Sequence, residues 1–509
     1  MKSEKWQRNL YKAWREIINN ANAVVIGGGF GGIASALRLR AKGYSVTLVD
    51  QCERLGGRAQ QYEKDGFVYD AGPTVVTAPF LFEELFELFD KQLSDYINLV
   101  PVEPWYRFVY PDGSTFDYGG TVEDTLAQIR AISEEDAQGY LNLLEQSNDI
   151  FEVGFTQLAD QPFDKITTML KQVPALIRLK CYRSVWQMVC AFLKHDKLRQ
   201  AFSIQPLLVG GNPFSTTSIY SLIHFLERKW GVHFAMGGTA AMVNGFEQLM
   251  REEGIDIQLN TKVTGLEIAN KNITAVVTEK GILSCDKVVS NVDPKHLYTK
   301  LVPRNEQNMG AKLKTKYASL SMGLFVLYFG TDKKYESVVH HTIWLGKRYQ
   351  SLLDDIFDKK ILADDFSLYL HRPTATDPSL APEGCDSFYV LSPVPNNLSG
   401  IDWEQEKEAY ADKVIKALEE SIMPGLTQSL VHRIIKTPAD FENDYSSVSG
   451  SGFSIAPTFT QSAWFRFHNK AEGPSNLYLA GAGTHPGAGL PGVLSSAKVV
   501  DKLIESSNA

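Results

Sequence analysis

The chain has no uninterrupted apolar run of the roughly 18 residues that a membrane-spanning helix needs. The nearest candidate, Ser319–Gly330, is too short and reads as a buried strand. Cysteine is scarce: Cys52, Cys181, Cys190, Cys285 and Cys385 are scattered, odd in number and form no Cys-x-x-Cys pair. That argues against a disulfide framework and a thiolate metal site, and makes a reducing cytosol the simplest home. The ten histidines show no zinc-ligand spacing, so no metal is expected, and His340-His341 reads as surface or core packing. Repeats and low-complexity tracts are missing, and no apolar h-region marks a signal peptide. A net charge of −8 and the lack of any nucleic-acid motif argue against a nucleic-acid partner.

What is present begins at residues 23–32, AVVIGGGFGG. An apolar strand runs into Gly27, Gly28, Gly29 and Gly32. A Gly-x-Gly-x-x-Gly turn between strand and helix is suited to a pyrophosphate. Its first glycine makes the tight turn, its second admits the phosphates, and its third lets the helix pack on the strand. Ile33, Ala36, Leu37 and Leu39 then mark a helix ending near Gly43, and a second strand, Ser45–Val49, stops at Asp50. An acid about twenty residues past the glycines accepts hydrogen bonds from ribose hydroxyls and disfavours a 2′-phosphate.

Leu55-Gly56-Gly57-Arg58 follows, two glycines for close approach and a guanidinium fork for phosphate. The C-terminus carries a matching block: the strand-like Asn476–Ala482, the loop Gly483–Val493, and a helical run Leu494–Ile504. A helix start there aims free N–H groups and partial positive charge at a ligand.

These blocks, with FVYDAGPTVVTAP, LLVGGNPFSTTSIYSLIH, FSLYLHRPTATDPSLAPEG and NLYLAGAGTHPGAGLPGVLSSAK, resemble the bacterial-type phytoene desaturases over about residues 23–505. The resemblance implies an α/β fold: a Rossmann-like FAD-binding domain of the glutathione-reductase and amine-oxidase type, an inserted mixed-sheet substrate domain, and a helical membrane-facing region. It puts Gly27, Gly29 and Gly32 at the pyrophosphate, Asp50 at the adenosine ribose and Arg58 near the phosphates, with Gly28, Gly56 and Gly57 in the same cradle. Val263 falls at the adenine, and Gly481, Gly483 and Val493 at the ribityl chain and flavin. Two departures stand out: about twenty residues precede the first strand, and Phe163–Met169 lacks an Arg-Asp pair that a relative carries there. No general acid or base is therefore assigned, and the catalytic residues stay unknown.

At 509 residues, two or three domains are expected. The FAD-binding domain is read from 23–80, 230–295 and 470–507, a helical region from 128–228, and a substrate domain from 81–127 with 296–469. Ser133 is read as an N-cap followed by first-turn acids. Strands are expected at Leu320–Tyr328 and Phe388–Ser392, and a helix near Glu404–Glu420. Between Lys165 and Arg199 stand eight Lys and Arg against Asp196 alone, interleaved with apolar and aromatic residues. This suits an anionic membrane surface, or else an amphipathic helix facing the core. Residues 1–22 mix Trp6, Leu10, Trp14 and Ile17 with basic residues, as an interfacial helix, a docked helix or a misassigned start would.

The resemblance implies desaturation of phytoene to lycopene in several rounds, with a hydride passing from an allylic carbon to flavin N5 and a proton then lost. Quinone or oxygen is the expected electron acceptor. An apolar molecule of about 40 carbons would cost roughly 30 kcal/mol to bring into water, so a cytoplasmic but peripherally membrane-associated enzyme is expected. Asp70, His224, Trp464 and Arg466 are candidates either for lining the substrate or for structural roles. Alternatives are another carotenoid desaturase or isomerase, a non-catalytic isoprenoid-binding protein on the same fold, and an amine oxidase.

Overall fold

The computed structural model describes residues 21–506. The expected N-terminal helix therefore lies almost wholly outside the described residues, and Asn22 opens the first strand.

Two sheets organise the chain. The first is parallel and five-stranded, in the order Leu477–Leu479, Lys287–Ser290, Asn22–Ile26, Ser45–Val49, Asp256–Gln258. Its strands come from three separated stretches, so the two ends of the chain are brought into one layer. The near-continuous apolar run NAVVI suits a strand covered on both faces. Val25 packs among Ile33, Phe246 and Leu494, from the helices Phe30–Ala41, Gly238–Glu252 and Leu490–Ser506. Val24 and Ile26 point the other way, onto Ile273 and Val276 of an antiparallel three-stranded sheet, Val263–Ala269, Asn272–Thr278 and Gly281–Ser284.

The second sheet has seven strands, in the order Leu430–Lys436, Gly323–Thr331, Asp386–Val394, Leu368–His371, His341–Trp344, Tyr106–Val109, Thr115–Tyr118. Phe325, Leu327 and Phe329 alternate onto the helix Trp403–Ser421. Leu324, Val326 and Tyr328 face a cavity on the opposite side. The strand expected at Leu320–Tyr328 thus begins and ends three residues later. Ser321 leaves the sheet because its N–H donates to Ser454 O at 2.8 Å, whereas Phe329–Thr331 keep pairing with Asp386–Phe388.

Helices Asp136–Phe151, Val185–Phe192 and Leu222–Trp230 pack around Tyr140 and Phe202 as a third layer. Ser133 does not cap this layer's first helix. Its N–H donates to Ile129 O at 2.7 Å, ending the preceding helix Val122–Ile132. Asp136 instead turns its buried carboxylate onto the N–H groups of Lys194 and His195, at 2.7 and 2.8 Å. The basic stretch forms three short helices, not one. Lys194, Lys197 and Arg199 are paired with Glu135, Asp112 and Asp196, while most of the stretch's positive charge stays outside these pairs. No helix among the described residues is long and apolar enough to cross a membrane.

Candidate functional site

Gly27 turns the chain out of the first strand at φ +96°, a region that side chains rarely adopt, and its N–H donates to Val49 O at 2.8 Å. A Cβ on Gly32 would stand 1.9 Å from Gly27 O, so only glycine lets the helix start this close. The Asp50 carboxylate spans the turn: Oδ2 accepts the Gly28 N–H at 2.5 Å and Oδ1 the Cys52 N–H at 2.8 Å. Gly56 N–H donates to Gly28 O at 2.8 Å, which lays the second glycine loop against the first. Arg58 closes this end. Its half-buried guanidinium donates to the Ser447 hydroxyl, Nε has no partner, and desolvation lowers its pKa. Val263, which opens the three-stranded sheet, and Thr261 just before it line the same end.

The C-terminal block meets this cradle directly. A Cβ on Gly31 would stand 3.1 Å from Gly481 N and 2.5 Å from Asn291 Oδ1. Gly481 N–H donates to Ser496 Oγ at 2.8 Å, fixing the loop to the closing helix Leu490–Ser506. The first turn of that helix, Leu490–Val493, lines the same cavity as the opening glycines.

Of the expected cofactor residues, Gly27, Gly29, Asp50, Gly56, Gly57, Arg58, Val263 and Val493 line the cavity. Gly28, Gly32, Gly481 and Gly483 stand behind its wall. Gly483 is a packing position, since a Cβ there would meet Pro294 Cδ at 2.3 Å. Asn291, which joins the two glycine blocks, is a residue that sequence reasoning gave no role.

None of the four lining candidates reaches the cavity wall. Asp70 Oδ1 accepts the Thr239 N–H at 2.7 Å at the start of the helix Gly238–Glu252. His224 is buried, donates from Nε2 to Phe202 O at 2.9 Å, and is held down to about pKa 4 by desolvation. Arg466 donates to the carbonyls of Thr484 and Ala482, at 2.9 and 2.6 Å, and so clamps the C-terminal loop. Trp464 packs on Phe465 and His468.

Beyond the cradle the cavity becomes apolar. Phe155, Leu158, Phe163 and Met169 line one side, and Tyr328, Tyr369 and Tyr389 the other. One carboxyl group stands in that wall. Glu227 Oε1 accepts the Tyr106 hydroxyl at 2.9 Å, Oε2 has no partner, and desolvation pushes the pKa up to about 7. Sequence reasoning missed it. The available signal was its spacing of four from Ile223, another wall residue, which puts an acid on the inward face of the helix Leu222–Trp230.

These residues fit FAD. The glycine cradle admits a pyrophosphate, the Asp50 carboxylate faces the turn as an acceptor, and the orphaned Arg58 Nε is a donor awaiting an anion. A dinucleotide cradle continuous with an apolar corridor defines a flavin-dependent oxidoreductase. The chain belongs to the flavin containing amine oxidoreductase family, whose profile matches residues 30–500, and FAD is its cofactor. It is 47% identical over 485 residues to a lycopene-forming phytoene desaturase of Pseudescherichia vulneris, covering 94% of this chain and 98% of that one. It is 45% identical over 482 residues to the corresponding protein of Pantoea ananas, covering 94% and 98%. Among solved structures, an oxidoreductase from Methanosarcina mazei shares the fold at a TM-score of 0.65 and 16% identity, covering 95% of this chain and 100% of that one.

Proposed function

We propose that this chain desaturates phytoene to lycopene in several rounds, as the names of its lycopene-forming relatives suggest. The observation that carries the reading is the single cavity running from Gly27 and Gly29 to the apolar walls around Phe155 and Met169. FAD, when bound, supplies the two-electron acceptor that no side chain provides. The chain's residues do the rest. The two glycine loops, Asp50, Arg58 and the backbone at Val263 hold the nucleotide, and the start of the closing helix aims N–H groups and positive dipole at the flavin end. The apolar walls exclude water and align a long polyene. Glu227 takes the proton lost from the carbon beside the hydride donor. Its raised pKa suits a group that accepts and releases a proton near neutrality.

Entry is from a membrane surface. The helix Ile166–Arg178 supports this: Met169, Gln172 and Leu176 face the cavity, while Leu170 and Ile177 are 59% and 61% exposed. Lys165, Lys171, Arg178 and Lys180 are exposed around them. A wall of the corridor is thus also an apolar, basic outer face, suited to anionic lipid. The enzyme would work in the cytoplasm, docked peripherally, with quinone or oxygen reoxidising the flavin. The test is to load the protein with FAD, supply phytoene in liposomes and identify the pigments. Lycopene is expected. A product with fewer new double bonds would place the chain with related carotenoid desaturases.

A further inference from the structure

His340, His341 and His371 meet in the interior behind the corridor, all buried. His341 and His371 are directly opposed across two antiparallel strands, and His340 precedes the first of them. The ring centroids lie 4.5 Å apart for His340–His341, 4.8 Å for His340–His371 and 5.4 Å for His341–His371. Each ring offers one nitrogen, and the three nitrogens lie within 4.8 Å of one another.

The hydrogen bonding is what separates this cluster from ordinary packing. One nitrogen of each ring has a partner: His340 Nδ1 with Thr376 Oγ1 at 2.6 Å, His341 Nδ1 with the Tyr369 hydroxyl at 2.8 Å, and His371 Nε2 with Asp70 Oδ2 at 3.4 Å. The other nitrogen of each, His340 Nε2, His341 Nε2 and His371 Nδ1, is buried without any partner. Each of these three close-packed rings therefore carries one buried nitrogen whose desolvation no hydrogen bond offsets. The Asp70 carboxylate can only accept from His371, and in the tautomer in which the two hydroxyls also accept, each ring presents its free lone pair, the pattern that orients histidine ligands on a metal.

We propose that His340, His341 and His371 form a binding site for one divalent first-row metal ion, with Asp70, Tyr369 and Thr376 as outer partners. Imidazole ligands favour Zn2+ and its neighbours. A metal–nitrogen distance of about 2.0–2.1 Å sets ligand nitrogens roughly 3.3 Å apart, within reach by small ring rotations. Asp70 contributes negative charge through His371, as a carboxylate–histidine–metal triad does. The ion would tie together the strands that carry His341 and His371. It would also fix Tyr369, whose ring lines the corridor and whose hydroxyl also bonds Thr74 Oγ1 at 2.7 Å. The site is separate from the flavin cradle, and its three protein ligands leave a fourth position for water.

The full-length FAD-loaded protein is stripped with chelator, then titrated with Zn2+ for stoichiometry and with Co2+ for its visible ligand-field bands. One ion per chain, retained through gel filtration, and low-symmetry Co2+ bands are expected. His341→Ala should abolish both while flavin content reports the folded state. Thr376→Val removes no ligand and guards against a misfolded His341→Ala. It should weaken metal binding by about 10- to 100-fold. Folded wild-type protein that retains neither ion, or variants that bind as tightly as wild type, would overturn the proposal.

Discussion

Gly31 and Gly481, from the opening and closing blocks of the chain, are in backbone contact: a side chain on the first would strike the Gly481 nitrogen at 3.1 Å and the Asn291 amide oxygen at 2.5 Å. Cofactor binding therefore depends on how closely two remote segments approach. Gly31→Ala should push Asn291 aside and weaken FAD binding by about tenfold or more, since a shift of about 1.4 kcal/mol is a factor of ten. Flavin retained through gel filtration measures it.

Asp50 satisfies two backbone N–H groups of the cradle, those of Gly28 and Cys52. Asp50→Ala leaves both unpaired, which costs on the order of 1–3 kcal/mol, and removes the proposed ribose acceptor. FAD affinity, followed by quenching of flavin fluorescence, should fall about 10- to 100-fold. Asp50→Asn, which keeps one acceptor, should lose less.

Glu227 is the proton acceptor in this account. Its pKa of about 7 means that the reactive carboxylate is populated as pH rises through neutrality. The rate of product formation in the wild type should therefore rise across that range. Glu227→Gln should lower kcat about 100-fold or more with little change in KM, and should flatten the profile.

His224 and His485 are buried with pKa values lowered to about 4, in each case chiefly by desolvation. Above the unfolded value near 6.5 both states are neutral and nothing is lost. As pH falls from about 6.5 to about 4, the unfolded chain takes up protons that the folded chain refuses. Each histidine then removes up to about 3 kcal/mol of stability. Tm should fall across that window and level off below it. His485→Gln should make the slope shallower.

Leu170 and Ile177 are exposed on the outer face of a corridor-lining helix. Leu170→Glu with Ile177→Glu should leave flavin content unchanged and reduce sedimentation with anionic vesicles by about tenfold or more. Desaturation of liposomal phytoene should fall in parallel.

The strand–turn–helix–strand unit at the N-terminus was legible in the sequence because its determinants are local. Asn22 through Asp50 is one continuous strand–turn–helix–strand unit, and Gly27, Gly32 and Asp50 each answer a backbone requirement there. The long apolar strand at Gly323–Thr331 was legible too, although its start was not. Ser319–Ser321 read as strand, but a contact with Ser454 draws Ser321 off the sheet. Ser133 fitted a capping pattern, yet the preceding helix claimed it. What could not be read were partnerships between distant segments. Asn291 matters only once Gly31 and Gly481 meet, and Glu227 becomes unusual only when the corridor desolvates it. His340-His341 looked like packing because the third ring, His371, arrives on a neighbouring strand. Arg466 stood as a candidate for lining the substrate or for a structural role. In the fold it satisfies main-chain carbonyls.

The central claim is that one cavity joins the flavin to an apolar polyene. It is tested most directly by mixing FAD-loaded protein with phytoene-loaded liposomes without oxygen and following the flavin spectrum. Phytoene is expected to bleach the oxidised flavin bands, and putrescine to leave them unchanged. Bands untouched by phytoene but bleached by the amine would contradict the claim.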